Sequence, residues 1–244
     1  YKRQSSDKVK KVQKDFEATH VRPQRLMKTL FTDEAYVKAN VDEARLMRRL
    51  FDLACNMQSH DTDMQLYSLF TDEECYDLWS CNNLYWYLTH ACSPVTDGLM
   101  PYREADLLRN ILDRADAALK EGKNQATLRF GHESCLLPLV ALLELNHYGE
   151  SYPDVEKLSE QWRAYDIFPM ASNVQFVFFH KKGSNDVLVK VLLNEKETKL
   201  PVKTDVAPYY HWKDVESYYR EKLDKYQHCL LYTSPSPRDR SVSR

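Results

Sequence analysis

No stretch of apolar residues in this 244-residue chain comes near the roughly 20 needed to cross a bilayer. Excess charge of one sign is lacking too: 34 Lys and Arg stand against 36 Asp and Glu, a formal net charge of −2. That balance gives no global signature of nucleic-acid binding, which needs a basic surface. The six cysteines, Cys55, Cys75, Cys81, Cys92, Cys135 and Cys229, lack the paired short spacings of a zinc site. Buried or free thiols are the expected state, with disulfides left open. Compositional bias is absent from the bulk, since 43% hydrophobic and 29% charged residues are ordinary for a globular protein, which excludes disorder for most of the chain. A signal peptide is missing, but the chain opens at Tyr1 without Met and runs into Lys- and Ser-rich sequence. The start is therefore expected to be a cut one, and the missing signal decides nothing.

What is present is first a series of helices. The chain is long enough to bury a core as one large domain or two smaller ones. Tyr1–Lys14 is polar and basic, a loop or the exposed start of a helix. Leu30-Phe31-Thr32-Asp33-Glu34 and Leu69-Phe70-Thr71-Asp72-Glu73 are the same five letters. Each offers a Thr for the N-cap and acids for the positive end of a helix, and Thr71 with Glu74 has capping-box spacing. The residues beyond them do not match, so two independently capped helices are expected rather than a repeat. Met47, Leu50, Phe51 and Ala54 mark one face of a helix over Asp42–Met57. His60, Asp61 and Asp63 read as a solvated turn rather than metal ligands. The aromatic stretch from Tyr76 to Leu88 reads as a packed helix. Pro101 suits a first helical position, and Ala105, Leu108, Leu112, Ala115 and Leu119 line a helix that stops at Gly122.

The second half changes period. Asn173–His180 and Asp186–Leu193, rich in β-formers and separated by a polar turn, predict an antiparallel hairpin. His211–Tyr226 predicts a last amphipathic helix with Trp212, Val215, Tyr219 and Tyr226 on one face. Cys229–Arg244 carries Ser, Pro and Arg without period. It resembles the translated read-through of a sequencing adapter and is expected to be a disordered tail.

The stretch most suggestive of chemistry is Ala126–Asn146. Ala126–Phe130 predicts a buried strand, and Cys135–Leu145 a helix with no exposed face, with Pro138 near its first turn. Between them lie Gly131, His132 and Glu133. A strand turning abruptly into a helix leaves the helix's first N–H groups unpaired and able to bind an anion such as phosphate. A ring that can hydrogen-bond a phosphate oxygen there sits beside a carboxyl group that can carry a proton.

Arg-Phe-Gly-His-Glu-Ser followed by CLLPLVALLEL resembles the second catalytic motif of the histidine acid phosphatases, in the branch of the multiple inositol polyphosphate phosphatases and phytases. Asn173–His180 and VKVLLNEKETKLPV at Val189–Val202 are similar to that branch's C-terminal strands, and Ala35–Asp113 resembles its helical insertion and the return from it. The likeness runs from about Pro23 to Tyr226. It implies an α/β fold, part of a three-layer α/β sandwich of the phosphoglycerate-mutase type with an inserted all-helical domain. In that frame residues 1–100 form the mostly helical, insertion-like domain, 101–228 the C-terminal half of the α/β domain, and 229–244 the tail.

The resemblance also implies a mechanism without cofactor or metal. A histidine of an Arg-His-Gly motif takes the phosphoryl group, and a second histidine, here His132, holds the phosphate oxygens. An acid beside it protonates the leaving alcohol and then activates water. Most of the branch has His-Ala-Glu and the wider family His-Asp. Here the tripeptide is His132-Glu133-Ser134, with Ser134 in the first pattern's Glu slot and Glu133 in the second's Asp slot. Only Glu133 can donate a proton, so Glu133 is assigned as general acid, with Arg129 and Gly131 as candidate phosphate contacts. Arg-His-Gly itself occurs nowhere, and none of the eight histidines has that context. The expectation is a fragment whose nucleophile lies upstream of Tyr1 on a longer parent, inactive alone. The implied partner is a small phosphorylated substrate, an inositol polyphosphate, with neither nucleic acid nor membrane. The implied location is an exported compartment. A module that binds phosphorylated ligands without turning them over is the alternative.

Overall fold

Capping side chains decide where the helices of the first half begin. The computed structural model describes residues 2–123 and 125–233, which divide into two compact units. The first comprises Tyr1–Thr89 with Asp154–Gln161, and the second His90–Pro153 with the residues from Trp162 onward.

The first unit is helical. Helix α1 covers Lys2–His20, so the basic start is helix rather than loop, and α2 covers Gln24–Leu30. Helix α3, Glu34–Asn40, is capped by Asp33, whose carboxylate accepts from Tyr36 N at 2.9 Å. The expected cap, Thr32, lies one residue too early, because the Asp33 carboxylate caps the N–H three residues on and carries charge to the helix's positive end. Helix α4, Glu43–Asn56, is capped by Asp42 on Arg45 N at 3.0 Å. It buries Met47 and Ala54, as its period predicts. Helix α5, Asp72–His90, opens with the reciprocal pair expected from sequence: Glu74 N donates to Thr71 Oγ1 at 3.2 Å, and Thr71 N donates to Glu74 Oε2 at 3.0 Å. Arg25 Nε then donates to the other oxygen of Glu74 at 2.8 Å, which holds that carboxyl below its usual range. Leu84, Tyr87 and Leu88 are buried, while Tyr76 and Tyr85 are about half exposed. The aromatic run thus packs with one face and shows the other. The short helix α8, Leu158–Gln161, joins this unit through Ser159, bonded to the Tyr76 hydroxyl at 2.6 Å.

The second unit holds the sheet. A 3₁₀ turn at Met100–Glu104 leads into α6, Ala105–Glu121, which buries Leu108 and Leu112 and ends on Gly122 at φ 65°. Positive φ there is open to glycine at no steric cost. Helix α7 covers Glu133–Leu142, with everything from Leu137 to Leu142 buried. Pro138 lies in its second turn, not its first. The bond it cannot donate is the one that Ser134's carbonyl would receive, and Ser134 is half exposed, so water can serve that carbonyl.

After the short helix α9, Ala164–Ile167, come strands β1, Val174–His180, and β2, Val187–Leu193. They pair antiparallel from Val174 with Leu193 to His180 with Val187, the predicted hairpin. Strands β3, Lys196–Glu197, and β4, Tyr210–His211, both pair with β2. Val189, Val191 and Leu193 alternate into the core.

Helix α10, Trp212–Thr233, closes the unit with Trp212, Val215 and Tyr219 buried. Its backbone carries on through Cys229–Thr233, where a disordered tail was expected, because no helix breaker comes before Pro235. The rest of that tail lies outside the described residues. From α10, Tyr219 Oη donates to the Leu143 carbonyl at 2.7 Å and Lys222 Nζ to the Leu142 carbonyl at 2.7 Å. These are carbonyls at the C-terminal end of α7 that no helical N–H can reach.

Among the described residues no helix is long and apolar enough to cross a membrane, and five of the six cysteines are free thiols.

Candidate active site

The site is assembled at the start of α7. His132 is its N-cap, in extended conformation with φ −106° and ψ 163°. Its carbonyl accepts from Cys135 N at 3.0 Å and Leu136 N at 3.1 Å, so the helix proper begins at once after it. The N–H groups of the first turn point out from this end, along with its positive partial charge. The abrupt entry into a helix expected at Gly131–Ser134 is therefore present.

The strand expected before it is not. Residues 125–132 form no strand and are exposed, with Leu128 at 75% and Phe130 at 95%. A β-segment needs a neighbouring backbone to accept its N–H groups, and among the described residues none lies alongside. The segment is consequently extended but unpaired, and its apolar side chains have nothing to pack on. His132 and Glu133 share its exposure, while Ser134 is half-buried. Gly131 sits in the exposed run, with open space where a Cβ would be. Arg129 is turned toward α6, its Nη2 donating to Asn110 Oδ1 at 2.8 Å.

The structure adds two residues that the sequence did not single out. His90, at the end of α5, is buried at 6% exposure. Its imidazole is pushed down to about 4 by burial first and then by the Arg103 guanidinium, while the Glu133 carboxylate pulls the other way. The buried ring thus feels both the Arg103 guanidinium and the Glu133 carboxylate at the mouth of α7. Arg103 approaches Glu104 at 4.0 Å, and burial pushes the Glu104 carboxyl up. No spacing could have announced His90, since it lies far from Glu133 in sequence and ends a helix whose composition reads as core. No group of three or more metal-ligating side chains occurs among the described residues.

The first-turn N–H groups of such a helix start can bind an anion, and an imidazole and a carboxyl group lie exposed at the same end. Residues 1–194 match the Histidine phosphatase superfamily (branch 2), and the chain belongs to that family. Its architecture is that family's: a mixed α/β core with a small flanking sheet and extensive helical insertions. Within the family the chain is similar to human (Homo sapiens) multiple inositol polyphosphate phosphatase 1, at 28% identity over 149 residues, 54% of this chain and 30% of that protein. In fold it resembles the Bifidobacterium longum multiple inositol polyphosphate phosphatase. Against the complex with inositol hexasulfate the TM-score is 0.58 at 22% identity, covering 72% of this chain and 38% of that one. Against the phosphate complex it is 0.59 at 21% identity, covering 72% and 40%. The chain spans well under half the length of these relatives.

Proposed function

We propose that this chain is the α7-bearing portion of a histidine phosphatase that removes phosphate from inositol polyphosphates, in the manner of a phytase. The observation that carries the reading is the placement of His132 and Glu133 at the cap and first position of α7, the helix end suited to a dianion. In the complete protein a histidine nitrogen of an Arg-His-Gly segment attacks phosphorus, and the P–O bond to the inositol breaks. Glu133 gives its proton to the departing alkoxide, while the first-turn N–H groups and His132 hold the phosphoryl oxygens. Glu133, now ionised, takes a proton from water as the water attacks phosphohistidine, which releases phosphate and restores both groups. Arg129, once released from Asn110, and the Gly131 backbone are the flanking phosphate contacts.

The nucleophile is assigned to a part of the parent that this chain does not include, so the chain by itself is inactive. Export of the parent from the cytoplasm is carried over from the family resemblance.

The test uses the complete parent. Glu133→Gln is expected to lower kcat for inositol hexakisphosphate by about 10²- to 10⁴-fold, the usual contribution of a general acid, with ligand binding retained. Unchanged turnover sinks the assignment. One observation favours a second reading, a module that binds phosphorylated ligands without turnover: Ser134 stands where most of the branch carries its Glu. Under that reading the intact parent binds the hexakisphosphate and releases no phosphate at all.

A further inference from the structure

The helical unit contains a cavity of about 460 Å³ that shares no residue with the α7 site. One wall is the face of α4 that carries Arg45, Arg48 and Arg49 at i, i+3 and i+4, adjacent positions on a helix surface. Arg48 is fixed in place: its Nη1 lies 3.0 Å from Glu17 Oε2 on α1. The other oxygen of Glu17 accepts from Gln13 Nε2 at 3.0 Å, and the same amide nitrogen donates to the Cys81 carbonyl at 3.0 Å. Arg49 reaches Asp52 only at 3.5 Å, with side chains 73% and 60% exposed, a contact worth little in water. Arg45 makes no ion pair among the described residues. Arg48 is therefore held in place by Glu17, Arg49 is only loosely engaged by Asp52, and both carboxylates line the cavity beside the three guanidinium groups. Phe51 of α4 and Tyr85 of α5 add aromatic surface to the same cavity.

Guanidinium forks match phosphate oxygens two at a time, and three of them on adjacent turns match neighbouring phosphates rather than one. The volume suits a small ligand. We infer that this cavity binds a small molecule bearing two or more adjacent phosphate groups, with the phosphates on Arg45, Arg48 and Arg49 and any ring against Phe51 and Tyr85. The inference requires no turnover and stands whether or not the α7 site is catalytic.

The experiment is calorimetric titration of the full chain with pyrophosphate, with inositol hexasulfate and with inorganic phosphate. Both polyanions are expected to bind, inositol hexasulfate the more tightly. Arg45→Gln with Arg49→Gln should weaken each by at least about tenfold, the effect of losing charge-assisted hydrogen bonds. Both arginines are exposed, so the double variant should keep the wild-type circular dichroism. His132→Ala should leave the binding read at this cavity in place. A measurement on the unaltered chain stands beside these: the side-chain amide resonance of Asn82, which lines the cavity, should shift on titration with pyrophosphate. The inference is overturned if the folded double variant binds as wild type, if His132→Ala removes all binding, or if the Asn82 amide does not respond. It is overturned equally if inorganic phosphate binds as tightly as pyrophosphate, which would indicate an adventitious ion only.

Discussion

Replacing Tyr219 by Phe removes one oxygen and leaves the ring, the buried volume and the helix unchanged. What is lost is the single donor, at 2.7 Å, on the carbonyl of Leu143, and both residues are fully buried at 0% exposure. With no room for water to take the hydroxyl's place, the carbonyl is left unsatisfied, and such a group costs about 1–3 kcal/mol. Lys222 still holds the Leu142 carbonyl at 2.7 Å, so the damage is confined to one of two anchors at this end of α7. Hydrogen exchange read by mass spectrometry over residues 136–146 is the appropriate assay, because it reports the opening of α7 rather than that of the whole chain. The expected loss of protection is about 5- to 150-fold, the same energy expressed as a ratio. The burial of the Tyr219 hydroxyl also holds it well above its usual range, so it stays a donor and the effect should not vary between pH 5 and 9. Unchanged protection in Tyr219→Phe would refute the reasoning, since it would mean that the Leu143 carbonyl has another partner.

Two predictions concern protons. His90 should titrate at about 4 in an NMR-monitored pH series, and Glu133→Gln, by removing a charge that favours the imidazolium, should lower it further. Because the folded value lies below the unfolded one, the unfolded chain binds the extra proton, and the stability held by neutral His90 is present above pH 6.5 and lost as pH falls from there towards 4. Titration of His90 near 6.5 would contradict its burial. His211 behaves in the opposite sense. Hydrogen bonds to Asp205 and Asp186, each at 2.9 Å, raise its value, so its contribution is complete below 6.5 and disappears as pH rises through the raised value. Exchange protection at the pairing of β4 with β2 should therefore weaken as pH rises above 6.5 in wild type, and His211→Gln should show no such slope.

Much of the fold could be read from the sequence wherever its cause is local. The pairing of Thr71 with Glu74 is a matter of three residues, and the hairpin from Val174 to Leu193 is written in alternating β-formers around a polar turn. Errors of one residue, such as Thr32 for Asp33, arise where two neighbouring side chains are both suited to cap the same helix. Ala126–Phe130 is a failure of another kind. Its composition is that of a strand, but a strand is made by its neighbours, and composition cannot reveal that none of the described residues lies beside it. The candidate site divides along the same line. The helix start at His132 and Glu133 was legible because it has a signature in consecutive residues. The coupling of His90 to Glu133 and Arg103, and the bond from Arg129 to Asn110, were not, since only the packing of the second unit creates them.

The two donors that α10 extends to the far end of α7 have a consequence for how the site must operate. With Tyr219 and Lys222 gripping its rear, the helix is a cantilever, anchored deep in the protein and free at the tip that carries His132 and Glu133. Under the proposed function, its aim is set before any phosphate arrives. Whatever completes the chemistry has to come to that tip and fit the direction already chosen for it.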